Sequence, residues 1–270
     1  MTRSPSEASG PTAGAAGVAA SLARPGVALD ERLQQEVEAT LQLLATIGRQ
    51  AGRNVVPPWL WLRSARACWL AARLDAAGDY YRQAAASLLR YATREARETG
   101  TLEPYANLAL GAAWMTQDRD LLEDVASEVE ATVGEELMAA DTTTDPLLYA
   151  ALLLTRLRAA WYSGQAKLLK DTDQELQRRV SLLDPWSKAF WREGRGSRSH
   201  AAITALLALK PPPIAQALQA LDQWLVAQRA HPPSIGDLVD EELAAFAATA
   251  AEYRIPVPRL AMPVPVAGGA

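Results

Sequence analysis

The chain has 270 residues, 49% of them apolar and 21% charged, enough for a sizeable core in one globular domain. Its formal charge of −4 argues against the basic footprint that nucleic-acid binding needs. A single cysteine excludes an internal disulfide and a cysteine metal cluster, and with no secretory signal the sequence points to a cytoplasmic protein.

Residues 1–27 are rich in Ala, Gly, Ser and Pro and have no dense apolar run, so they are expected to be disordered and not to enter a membrane. From residue 28 to 258 the pattern is helical. Leu29, Leu33, Val37, Leu41 and Leu44 recur at helical spacing, with Asp30 and Glu31 in the first turn, where the helix dipole favours them. Pro57-Pro58 opens the next helix, and Gly78-Asp79 reads as the turn of a first hairpin. A second hairpin turns near Gln117-Asp118 and a third at Gly164. Each has a small residue beside a tryptophan: Ala71 and Trp69, Ala113 and Trp114, Ala160 and Trp161.

The stretch DPWSKAFWREGRGSRS then reads as broken. Three more helices follow at about 199–210, 213–229 and 237–253, separated by Pro211-Pro212-Pro213 and Pro232-Pro233. Residues 259–270 form a proline-rich tail, expected to be flexible. No strand pattern competes. The expected architecture is all-α: nine to ten helices in one domain, stacked as antiparallel hairpins in the manner of a tetratricopeptide or α-solenoid array.

The residues that usually carry catalysis do not assemble. His200 and His231 belong to no ligand spacing, and no nucleophile elbow is present. Cys68 sits in an apolar helical pattern and reads as a buried, inert thiol. The glycine cluster REGRGSRSH lacks the lysine and preceding strand of a phosphate loop. Arg192, Arg195 and Arg198 there suit a solvated loop better than an anion site. No catalytic, cofactor-binding or metal residue is expected.

One segment stands out by charge. Between Asp118 and Asp145 lie ten acids: Asp118, Asp120, Glu123, Asp124, Glu128, Glu130, Glu135, Glu136, Asp141 and Asp145, with Arg119 the one base. A helical wheel places Leu121, Leu122, Val125, Val129 and Val133 on one side and fans Glu123, Asp124, Glu128 and Glu130 across the others. With no histidine among them, a di-metal centre is not easily built, and DRDLLED is not a calcium loop. Two readings stay open: a solvated acidic face, or a surface for a basic partner with Asp118, Asp120, Glu123, Asp124, Glu128 and Glu130 as its contact residues. Six tryptophans (Trp59, Trp61, Trp69, Trp114, Trp161 and Trp224) read as helix packing. Trp186 and Trp191 flank the broken stretch and are candidate interface anchors.

Two segments carry a resemblance. EPYANLALGAAWMTQDRDLLEDVA, with Tyr105, Ala106, Asn107, Trp114, Asp118 and Leu121-Leu122, resembles the central hairpin of the immunity 49 family of bacterial polymorphic toxin systems. LVDEELAAFAATAAEYRIPVPRLAMP is similar to that family's last helix and its Ile255-Pro256-Val257 exit. The sequence departs from the family at Tyr253-Arg254, where a glycine would precede the isoleucine. The resemblance implies an all-helical cytoplasmic protein that binds and neutralises a toxin, often a nuclease, and has no catalytic residues of its own. The alternative is a helical-repeat adaptor for another bacterial protein or peptide. Neither reading calls for a cofactor, nucleic acid or membrane.

Overall fold

The computed structural model describes residues 29–51, 56–99, 101–140 and 145–263. The expectations placed on residues 1–27, on Asp141 and on 264–270 lie outside them. The described residues form helices and no strand: α1 (Glu31–Ala51), α2 (Pro58–Leu70), α3 (Leu74–Thr99), α4 (Leu102–Met115), α5 (Arg119–Ala139), α6 (Pro146–Tyr162), α7 (Ala166–Leu182), α8 (Pro185–Glu193), α9 (Arg195–Ala208), α10 (Pro211–Gln228), the one-turn α11 (Ile235–Leu238) and α12 (Glu241–Glu252). None is long and apolar enough to cross a membrane. The two beyond the expected ten are α8 and α11.

Local chemistry sets these boundaries. Pro58, Pro146, Pro185 and Pro211 each open a helix, where the missing N–H costs nothing. Asp118, Asp145, Asp184 and Asp240 cap α5, α6, α8 and α12, accepting from backbone N–H groups that the first turn leaves unpaired.

Helices α2–α3, α4–α5 and α6–α7 form three hairpins, with α3 packed on α4 and α5 on α6. Each turn follows a buried tryptophan, and in each the third residue after it is left-handed: Ala72 after Trp69, Gln117 after Trp114 and Gly164 after Trp161. In all three that residue's N–H donates to the tryptophan carbonyl, at 2.9, 3.1 and 3.3 Å. At Ala72 and Gly164 the next N–H also reaches back, Arg73 to Cys68 and Gln165 to Ala160, completing a Schellman motif. The first turn is therefore not at Gly78-Asp79, which lie inside α3. The left-handed position of this turn is filled by an alanine, Ala72, rather than by a glycine.

The later helices do not repeat this plan. Helix α12 is apolar around most of its circumference and packs against α4, α9 and α10, with Leu243 through Ala247 buried. Phe246 meets Trp161 edge-on at 5.0 Å, and Trp161 meets Tyr162 at 4.9 Å. The stretch read as broken is instead ordered as α8 and the start of α9. Arg198 donates to the carbonyls of Arg192, Glu193 and Gly194 there, satisfying the C-terminal end of α8. The tail expected to be free from 259 is held as far as Pro263: the N–H groups of Ala261 and Met262 donate to the Asp222 carboxylate at 2.9 and 2.8 Å, and Met262 is buried.

Candidate functional site

The six acids assigned to a partner surface divide into two groups. Asp118 is the α5 cap, accepting from Leu121 N–H at 3.1 Å, and this bond, aided by Arg82 at 3.4 Å, holds its carboxyl below the usual range. Glu123 pairs with Arg119 at 2.7 Å, and Glu130 accepts two bonds from Arg156 at 3.0 and 2.7 Å. Those three are therefore parts of the local structure. Asp120, Asp124 and Glu128 are exposed and make no ion pair among the described residues. They recur every fourth residue and form one stripe along α5, opposite buried Leu122, Val125, Val129 and Val133. Like charges at this spacing repel, and nothing described offsets it.

The tryptophan candidates also separate. Trp191 is buried under Gly196 and Leu154, so it is a core residue rather than an anchor. Trp186 is 70% exposed and stacks on Phe190, itself 60% exposed, with ring centroids 5.8 Å apart. Trp59, expected in the core, is exposed.

Topology places the Trp186–Phe190 pair among other exposed apolar side chains. Helices α5 and α7 both run antiparallel to α6: Glu130 meets Arg156, and the Arg179 guanidinium lies 4.3 Å over the Tyr149 ring. The C-terminal ends of α5 and α7 therefore share one end of this layer with the N-termini of α6 and α8. Met138 (81% exposed), Leu182 (68%) and Leu148 all belong to that end. From it a groove of about 600 Å³ runs between the helices, lined by Met138, Tyr149, Glu130, Arg156, Asp171 and Glu175.

Sequence reasoning missed a second site altogether. Asp240, Glu241 and Glu242, at the start of α12, are all buried. Glu241 accepts two bonds from Arg66 of α2, each 2.7 Å, and a longer one from Tyr81 of α3. Glu242 accepts from Arg158 of α6 at 2.5 Å, from Arg195 of α9 at 2.8 Å and from Ser199 at 2.9 Å. Asp240 caps α12 through Leu243 N–H and pairs with Arg195 at 2.9 Å. Arg195, read as part of a solvated loop, is thus a structural cation. Gly111 of α4 lets α12 approach: a β-carbon there would lie 2.8 Å from the Glu241 β-carbon.

The electrostatics follow from burial and pairing. Burial opposes the Glu242 charge, but Arg158 and Arg195 outweigh it and bring its carboxyl down to about 2. For Asp240 burial wins and the carboxyl is pushed up, despite Arg195. Glu103 on α4 is also pushed up by burial, with Arg158 opposing. Burial raises the phenols of Tyr81 and Tyr162. His200 lies outside this network, 2.6 Å from Asp173.

No protein-family model, curated protein or solved structure matches the chain.

Proposed function

We propose that this protein is a cytoplasmic immunity protein, which binds and neutralises a toxin partner with a basic surface. The observation that carries the reading is the uncompensated stripe of Asp120, Asp124 and Glu128 on a helix whose other side is anchored in the core. A rigid acidic helix suits capture of a cationic cleft, because fixed charge steers encounter and needs no rearrangement on docking. The exposed Trp186–Phe190 stack, with Met138 and Leu182, supplies the apolar area that a polar rim alone lacks. The resemblance to the immunity 49 family supports the same reading. At Arg254, where that family's pattern would have glycine, the backbone is left-handed with φ 55°. No group of the protein performs chemistry in this account.

A peptide adaptor would offer a groove lined by free cations; in the groove beside α5 and α6 Arg156 is engaged by Glu130, and on the α12 side Arg66 and Arg158 bind Glu241 and Glu242.

The test is protection. Co-expressed with the product of the adjacent toxin-like reading frame, the wild-type protein is expected to restore growth and to co-purify with it. Trp186→Ser with Phe190→Ser should weaken both without lowering the melting temperature, because both rings are already in solvent. Full protection by the double variant would remove the apolar end from the interface. No protection by the wild type would remove the reading itself.

A further inference from the structure

The returning helices of the three hairpins, α3, α5 and α7, do not close into one layer. Helix α3 packs on α5, and α5 and α7 both pack on α6, but the groove of about 600 Å³ separates α5 from α7 and leaves α6 as its floor. The lining is largely apolar: Tyr149 and Leu153 of α6, Leu137 and Met138 of α5 and Leu168 of α7.

Gly134 lines the same groove from within α5. A β-carbon there would meet only the end of the Glu130 side chain, at 3.9 Å, so the chain's own packing does not call for a glycine. Inside a helix glycine is less favourable than any residue but proline. At Gly111 the missing side chain admits α12; at Gly134 it widens the groove.

The charge around the groove is one-sided. Arg156, the cation among its lining residues, is held by Glu130, and Glu175 is held by Arg178 and Arg179. Asp171, exposed on the α7 rim, makes no ion pair among the described residues. On the α5 rim, Ala131 stands three residues after Glu128 and seven after Asp124, so the uncompensated stripe leads into the groove. Lys167 and Lys170 of α7 are exposed but do not line it. A free anion would be repelled here, and a wholly polar cation would leave Tyr149 and Leu153 uncovered.

We propose that this groove takes an apolar side chain of a partner protein, flanked in the partner's sequence by lysine or arginine. The apolar side chain enters beside Gly134 onto Tyr149 and Leu153, and the flanking cations meet Glu128 and Asp171. That this partner is the toxin rests on the function proposed above, whereas the preference for a basic, apolar segment belongs to the groove itself.

One groove-filling variant and two peptides test it. Gly134→Leu should keep or raise the melting temperature, because the added side chain meets open space and leucine favours the helix. In isothermal titration at low salt, the full chain should bind the peptide Lys-Leu-Trp-Lys-Lys about tenfold more tightly than Glu-Leu-Trp-Glu-Glu. Gly134→Leu should weaken the basic peptide about tenfold, and Asp171→Asn should weaken it at low salt but not at high salt. Equal binding of the basic peptide by wild type and Gly134→Leu would overturn the site, and equal binding of the two peptides by wild type would overturn the basic partner. A fall in the melting temperature of Gly134→Leu would show the groove filled by the chain itself, and a wild-type dimer that Gly134→Leu dissociates would give it to a second copy; either result overturns the proposal. If the peptide results hold and the wild type still gives no protection against the toxin, the toxin reading falls and the groove's assignment stands.

Discussion

Glu242→Ala is expected to destabilise the protein by about 3–5 kcal/mol, a large share of a typical domain's stability. The loss comes less from the bonds removed than from what remains. Arg158 is buried and keeps only Glu103, 3.7 Å away, while half-buried Arg195 keeps only Asp240. Glu241 is already taken by Arg66 and Asp240 by Arg195, which leaves Glu103 to move closer to Arg158. Glu242→Gln keeps the shape and removes the charge, and it separates packing from electrostatics. The folded carboxyl, at about 2, lies below its unfolded value near 4.3, so its charge contributes stability that is complete above the unfolded value and lost as pH falls towards 2. The difference in melting temperature between wild type and Glu242→Gln should therefore be largest near neutrality and shrink between about pH 4.5 and pH 2. A difference that does not change with pH would mean that the charge of Glu242 contributes nothing. Asp240 and Glu103 run the other way: their raised carboxyls weaken the fold as pH rises through them, and the variant lessens both shifts, because the Glu242 charge is one of their causes.

Gly111→Val is expected to cost about 1–3 kcal/mol. Its first added atom would already lie 2.8 Å from the Glu241 β-carbon, and both atoms are fixed to helical backbones. The strain can be relieved only by parting α4 from α12, which would disturb the Arg66–Glu241 pair. Gly134→Ala serves as the control. It lies in α5, and the nearest atom to an added methyl is the end of the Glu130 side chain at 3.9 Å. There the gain in helix propensity should show, at about 0.5–1 kcal/mol of stabilisation. Chemical denaturation of the two variants measures both; neutrality of Gly111→Val would show that helix spacing is not set by Gly111.

The hairpins were legible because apolar periodicity and proline placement are local signals, and α1 to α7 obey them. The first turn was not legible from glycine, because there Ala72 takes the left-handed position three residues after Trp69 and Gly78-Asp79 continue the helix. Helix α8 is masked in the sequence by Gly194, Gly196 and the nearby arginines, although Asp184 and Pro185 form a good helix start. The acidic face was half legible. Composition gave the charge, but not that Arg82 and Arg156 would arrive from other helices to take Asp118 and Glu130.

The buried network was readable in principle. In LAAFAATAA almost every residue is apolar, and a helix apolar all round is surrounded by protein. Acids at its first turn must then be buried too, and buried acids need cations. Which arginines answer them, Arg66, Arg158 and Arg195, depends on contacts more than forty residues apart, and no local pattern encodes those.

The stripe on α5 carries the functional account, and the association rate tests it. Asp120→Lys, Asp124→Lys and Glu128→Lys together should leave the fold intact, since these exposed side chains make no ion pair among the described residues. Surface plasmon resonance with the cognate toxin should show the triple variant associating about tenfold more slowly than wild type at low salt, with the two rates converging as ionic strength rises and screens the field. Equal association rates at low salt would contradict the account and leave the acidic helix as a solvated face.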